Sequence, residues 1–150
     1  MVKEGTAAPA FKTTDANGET VNLKDFRGKK VALYFYPKDD TPGCTKEACS
    51  FRDAFSKFKK QGITILGVSP DSEKSHQKFT AKYKLPFTLL ADTDHSIADA
   101  YGVYGEKKFM GRTYMGVLRT TFLIDEKGKV KKVFEKVKPE DHANEVLEAF

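Results

Sequence analysis

Apolar residues fall into three rhythms along this chain. Val31-Ala32-Leu33-Tyr34-Phe35-Tyr36 and Ile63-Thr64-Ile65-Leu66-Gly67-Val68 are nearly unbroken apolar runs of strand length. Runs of that kind suit strands buried on both faces of a sheet. Ala48, Phe51, Phe55 and Phe58 recur instead at helical spacing, which predicts a helix over residues 42–60, ended by Lys59-Lys60 and Gly62. A second helix is predicted over 72–84, with Phe79 and Tyr83 one turn apart, and a short one over 96–101. Thr88-Leu89-Leu90-Ala91 reads as a short strand, and residues 120–125 and 129–135 as two strands turning at Glu126-Lys127-Gly128. Near the start, residues 11–15 and 20–23 flank Asn17-Gly18, a hairpin signature. Near the end, Pro139 opens a helix whose Ala143, Val146, Leu147 and Phe150 form one face. Residues 102–117 hold four glycines among mixed polar groups and predict a loop.

The resulting order is β-β-β-α-β-α-β-α-β-β-α. Strands alternating with helices argue for parallel pairing early in the chain, and the late hairpin adds antiparallel strands. The expectation is an α/β fold, a mixed central sheet flanked by helices with an N-terminal β-hairpin. At 150 residues the chain matches one domain, 1–150, with enough length for a core.

Charge narrows the function classes. The net charge of +5 is spread along the chain, and the basic doublets Lys29-Lys30, Lys59-Lys60, Lys107-Lys108 and Lys131-Lys132 stand apart. A nucleic-acid footprint needs Lys and Arg clustered on one face, so no nucleic-acid partner is expected. No apolar run is long enough to cross a bilayer, and Met1-Val2-Lys3-Glu4-Gly5 does not begin a secretory signal. A cytoplasmic protein without a membrane partner is the expectation. Two cysteines, Cys44 and Cys49, are too few for a disulfide framework, and in such a chain they are reactive, metal-binding or inert.

The segment from Pro37 to Cys49 carries the chemistry. It leads from a buried strand into a helix, where α/β folds place ligands. Thr41 suits the N-cap and Pro42 the first helical position, so Cys44 falls in the first turn. Unpaired N–H groups and the positive dipole end favour thiolate over thiol there. Asp39 and Asp40 would oppose this if they pointed inward, and they are expected to face solvent. Cys49 lies five residues on, beside Ala48 of the buried stripe, and is expected to be a covered, less reactive thiol. On an ideal helix a five-residue step separates Cα atoms by roughly 8.7 Å. A disulfide needs them within about 7 Å, so the two can pair only if a turn unwinds. On these terms Cys44 reacts first and Cys49 resolves. Each cysteine alone also has a structural reading, as a small buried residue. Cys-x₄-Cys supplies half of a zinc set, and His76, His95 and His142 are scattered as surface or cap histidines.

Pro37-x-x-x-Thr41-x-x-Cys44 resembles the active-site pattern of the peroxiredoxins at every fixed position. The longer stretch from Phe35 through Asp53 is similar to the peroxiredoxin Q branch, also called bacterioferritin comigratory protein, in which a second cysteine follows five residues after the first. Gly67-Val68-Ser69, Leu90-Ala91-Asp92 and Arg119-Thr120-Thr121-Phe122-Leu123-Ile124-Asp125 extend the resemblance along the chain. It implies a thioredoxin-like fold and a thiol-dependent peroxidase acting on hydrogen peroxide and organic hydroperoxides. Cys44 would be the peroxidatic thiol and Cys49 the resolving one. Arg119 would reach the Cys44 site, Thr41 would offer its hydroxyl to sulfur and peroxide, and Pro37 would screen the site from water. The resemblance also implies an intramolecular disulfide reduced by thioredoxin or a similar dithiol, with no metal, haem or flavin cofactor. The Gly-Gly-Leu-Gly insertion and Tyr-Phe tail of overoxidation-prone peroxiredoxins are absent, which implies fast resolution and resistance to sulfinic acid. The lack of a C-terminal cysteine favours a monomer. The rival reading is a non-enzymatic redox sensor built on the same two cysteines.

Overall fold

Successive side chains on a strand point to opposite faces, so a strand covered on both sides must be apolar throughout. In the computed structural model, which describes residues 1–150, the central strand β3 (Lys30–Phe35) is such a strand. It is preceded by β1 (Lys12–Asp15) and β2 (Thr20–Asn22), and followed by α1 (Pro42–Asp53), α2 (Phe55–Lys60), β4 (Ile63–Ser69), α3 (Glu73–Tyr83), β5 (Thr88–Ala91) and α4 (Ser96–Tyr101). Then come β6 (Tyr104–Phe109), β7 (Arg112–Val117), β8 (Thr120–Ile124), β9 (Val130–Glu135) and α5 (His142–Ala149). The main sheet runs β2-β1-β5-β4-β3-β8-β9. β3, β4 and β5 are parallel, while β8 runs antiparallel to β3 and β9 to β8. This is the expected mixed α/β architecture with its N-terminal hairpin.

The alternation along β3 builds two cores. Val31, Leu33 and Phe35 pack with Leu66, Val68, Phe122 and, from α4, Ile97 and Tyr101. Ala32, Tyr34 and Tyr36 face the other way and pack with Phe51, Phe58, Phe79 and Val146. Cys44 belongs to this second core, where Tyr34 stacks on Phe51 with ring centroids 4.7 Å apart. Each such fully buried aromatic contributes roughly 1.5–3 kcal/mol of transfer free energy.

Three elements differ from expectation. The helix predicted over 42–60 is divided at Ala54, which leaves helical geometry at φ −97° and ψ 4°. Seven residues of straight helix rise about 10.5 Å. Phe51 and Phe58 nevertheless meet at 5.6 Å between centroids, so the bend wraps both rings onto one cluster. Residues 102–117 are not a loop, because β6 and β7 pair in register from Tyr104–Val117 to Phe109–Arg112. Met110 and Gly111 turn the chain with φ of 50° and 78°, the left-handed pair that suits a tight hairpin. The ribbon stands outside the main sheet and exposes Phe109, Met110, Tyr114 and Met115, so no inward face imposed an alternating pattern. Pro139 opens a short 3₁₀ turn, Pro139–Asp141, before the final helix begins at His142. No helix is long and apolar enough to cross a membrane.

Candidate active site

β3 pairs with β8 so that Phe35 faces Thr120. Antiparallel pairing brings the end of one strand to the start of the other. Arg119, immediately before β8, therefore stands at the sheet end where the chain leaves β3 for α1. Tyr36 prolongs the strand, donating its N–H to the Val68 carbonyl at 3.0 Å. Pro37 then opens a five-residue loop, half-buried between strand and helix.

Thr41 has the extended conformation of an N-cap, φ −96° and ψ 155°, with Pro42 at the first helical position. Its carbonyl accepts from the Thr45 N–H at 2.8 Å, closing the first turn. Its hydroxyl caps nothing and donates instead to the Lys38 carbonyl at 2.9 Å. Cys44 lies in the first turn and is 1% exposed, sealed by its place on the apolar stripe with Ala48 and Phe51. Cys49 is the less covered of the two thiols, reversing the expectation. A five-residue step turns the side chain about 140° away from the stripe that buries Cys44. Both cysteines are free thiols in an intact α1.

The Arg119 guanidinium joins two helix residues one turn apart. Its Nη2 donates to Cys44 Sγ at 3.3 Å, and its Nη1 donates to Glu47 Oε1 at 2.7 Å. Gly43 makes room for it, since a Cβ there would sit 3.2 Å from Nη2. Burial pulls against the charge on Arg119, but Glu47 and Cys44 outweigh it and hold the guanidinium more firmly protonated than usual. Glu47 is fully buried and its Oε2 has no partner. Burial pushes its carboxyl up to about 7 against the pull of Arg119. Tyr34 is buried beside this group with its hydroxyl unpartnered, and burial with the Glu47 and Cys44 charges pushes its phenol well above the usual range. Lys107 comes from β6 and donates to the Val117 carbonyl at 2.9 Å. Burial, with repulsion from Arg119, lowers its ammonium below the usual range.

The sequence reading missed Glu47 and Lys107. The available signal for Glu47 was a carboxylate three residues after Cys44, hence on the same helix face, between apolar positions. Lys107 left none, because it reaches the site only through the hairpin.

Two expectations fail at this end of the molecule. Asp40 is exposed as expected, but Asp39 is buried at 8% exposure and held by Tyr36, Ser75 and His76. His76 and His142 are likewise fully buried, leaving only His95, half-buried at the N-cap of α4, near the surface. Polar partners make this burial tolerable. His142 Nε2 lies 2.7 Å from the Thr121 hydroxyl, and burial holds its ring below the usual imidazole range.

Residues 5–133 match the model described as the AhpC/TSA family. The chain belongs to the AhpC/TSA family. It is 53% identical over 146 residues to a putative peroxiredoxin bcp of Coxiella burnetii, covering 97% of each chain. It is 49% identical over 147 residues to peroxiredoxin Bcp of Bacillus subtilis, covering 98% of this chain and 94% of the relative. Among solved structures, the Xanthomonas campestris bacterioferritin comigratory protein superposes with a TM-score of 0.91 at 38% identity, covering 98% of this chain and 96% of that one. The fold is thus that of the thioredoxin-like peroxiredoxins, and this AhpC/TSA member, of the peroxiredoxin Q and Bcp branch, is a thiol peroxidase, an oxidoreductase.

Proposed function

We propose that Cys44 is the peroxidatic thiol and reduces hydrogen peroxide and organic hydroperoxides. The observation that carries this is the 3.3 Å contact from Arg119 Nη2 to Cys44 Sγ. A fixed guanidinium favours the thiolate, which is the nucleophilic form. The sulfur attacks one peroxide oxygen, an S–O bond forms and the O–O bond breaks. Cys44 becomes sulfenic acid, and the departing oxygen leaves as water or alcohol once it takes a proton. Arg119 donates to the peroxide oxygens as negative charge passes from sulfur to the leaving oxygen. Thr41 has its donor engaged with Lys38, so its oxygen is free to accept the peroxide O–H. Pro37, half-buried where β3 gives way to the loop, screens the site from water in this reading. The Xanthomonas relative is described for its alkyl peroxide reduction activity, which supports organic hydroperoxides among the substrates.

Cys49 is the resolving thiol in this reading. The first turns of α1 unwind, the Cys49 thiolate attacks the sulfenic sulfur, hydroxide leaves, and an intramolecular disulfide remains. Unwinding gives up the exposed Lys46–Glu140 ion pair at 3.8 Å, which is worth little, and the buried Arg119–Glu47 contact at 2.7 Å. A dithiol reductant, thioredoxin or a protein like it, then returns both thiols through a mixed disulfide. The chain acts in the cytoplasm as a monomer and needs no cofactor.

The test is steady-state turnover with thioredoxin, its reductase and NADPH, using hydrogen peroxide and an alkyl hydroperoxide in turn. Sustained NADPH consumption that disappears in Cys44→Ser supports the reading. Persistence of turnover in that variant overturns it.

A further inference from the structure

Away from the sulfur, the densest set of buried polar groups sits on the loop that leads to it. Asp39 Oδ1 accepts from the Tyr36 hydroxyl at 2.6 Å, and Oδ2 accepts from the Ser75 hydroxyl at 2.8 Å. His76 Nδ1 lies 2.7 Å from the same Oδ2, and its Nε2 lies 3.0 Å from the Leu90 carbonyl oxygen. A carbonyl can only accept, so Nε2 carries a proton. One proton bridges Nδ1 and Asp39 Oδ2, since two lone pairs do not face each other at 2.7 Å. The Asp39 N–H donates to Asp71 Oδ2 at 2.8 Å, and that oxygen also takes the Ser69 hydroxyl at 2.6 Å. Asp39 is thereby tied at once to β3, to the end of β4 and to α3, and α3 through His76 to β5.

The next residue repeats the grip at the surface. Asp40 adopts φ 56°, a left-handed conformation that costs a non-glycine residue about 1 kcal/mol or more. Its carboxylate takes Lys82 Nζ and the Tyr83 hydroxyl, each at 2.8 Å. Exposed contacts of this kind hold weakly. The buried pair is the strong half of the clasp, because a half-broken polar pair in the core leaves an unsatisfied group.

We propose that Asp39 and His76 form a positioning pair that holds loop 37–41 against α3, thereby fixing where α1 begins and where Thr41 and Cys44 stand when peroxide arrives. The proposal rests on the reading of Cys44 as the peroxidatic thiol. The pair touches neither sulfur nor peroxide and acts through the loop. The same clasp gives the helix a fixed upstream end to refold from after each disulfide is reduced.

Two variants at one site separate positioning from bulk stability. An asparagine amide nitrogen reaches toward the place of Nδ1, so His76→Asn keeps a donor to Asp39 and gives up Leu90. A glutamine nitrogen reaches toward Nε2, so His76→Gln keeps Leu90 and gives up Asp39. Both exchange a buried ring for a neutral amide, and both lower the melting temperature. The measurement is the second-order rate of Cys44 oxidation by hydrogen peroxide in single turnover, on the full reduced chain, beside a thermal melt of each variant. Misplaced reacting groups can cost up to about 100-fold, so His76→Gln is expected to slow oxidation about tenfold or more while His76→Asn stays within about threefold of wild type. Equal rates in the two variants, whether both slow or both fast, overturn the proposal. Should either fail to fold, Asp71→Ala at the half-exposed turn removes the acceptor of the Asp39 N–H. Slower oxidation there supports the pair, and an unchanged rate overturns it. A Cys44→Ser chain that still consumes peroxide brings down the Cys44 reading and this proposal with it. An inert Cys44→Ser chain beside matched Asn and Gln variants removes the positioning pair alone.

Discussion

Arg119 and Glu47 are 72 residues apart in sequence, and they meet at 2.7 Å beside the sulfur of Cys44. The guanidinium spends one arm on the carboxylate and the other on the thiol, at 3.3 Å. This geometry makes the arginine's fork the central part of the site.

Replacing Arg119 tests the fork directly. Removing a donor aimed at developing negative charge typically costs about 100-fold or more in rate. Arg119→Ala is therefore expected to slow Cys44 oxidation by about that factor. Arg119→Lys recovers little, because a single ammonium cannot serve Sγ and Oε1 in the same geometry. Stopped-flow oxidation with peroxide checks both variants, and a wild-type rate in Arg119→Ala removes the residue from the chemistry.

Gly43 offers a milder perturbation of the same contact. A Cβ there would lie 3.2 Å from Arg119 Nη2, so the guanidinium must give by a few tenths of an ångström beside the sulfur. Its conformation is helical, so alanine introduces no backbone strain and removes a helix-weakening glycine. Gly43→Ala is expected to hold or raise the melting temperature while slowing peroxide reduction about tenfold. Both quantities can be read from one preparation.

Glu47 gives stability a distinctive pH dependence. Its carboxyl is raised from 4.5 to about 7 in the folded chain, first by burial. The folded state therefore binds more protons than the unfolded state between these values, and stability falls as pH rises through that window. A shift of this size corresponds to a contribution on the order of 3 kcal/mol. Glu47→Gln removes the titration, so its stability relative to wild type is expected to improve from pH 4.5 to pH 7. Denaturant unfolding of both proteins across that range checks the slope, and parallel curves contradict it.

Cys49→Ser separates the two thiols. The variant is expected to reduce one equivalent of peroxide and then stop with thioredoxin as reductant, holding Cys44 as sulfenic acid that a specific nucleophile can trap. In the wild-type chain, oxidation to the disulfide is expected to speed amide exchange across the first turns of α1, since an intact helix separates the two Cα atoms by roughly 8.7 Å. Full cycling by Cys49→Ser, or unchanged exchange on oxidation, contradicts the resolving role.

Apolar rhythm alone located β3, β4 and the first long helix, because a strand covered on both faces and a helix packed along one stripe leave direct periodic marks. It missed the β6–β7 ribbon, whose residues are mostly exposed outside the main sheet and carry no such mark. Residue type suggested a solvent-facing Asp39 and surface or cap histidines, whereas Asp39, His76 and His142 are buried. Their burial depends on partners from other elements, such as Ser75 and Leu90, that local spacing cannot reveal.

The division at the active site follows the same line. The sequence by itself determined that Cys44 begins a helix and that Cys49 cannot bond it without unwinding, because both statements concern neighbours on one helix with fixed rise and turn. Only the tertiary structure decided that Arg119 and Glu47 converge on the sulfur, that Cys44 is the covered thiol, and that Asp39 turns inward onto α3. Those contacts depend on the register of β8 against β3 and on how the helices pack on the sheet, which are long-range choices that no short segment of the chain encodes.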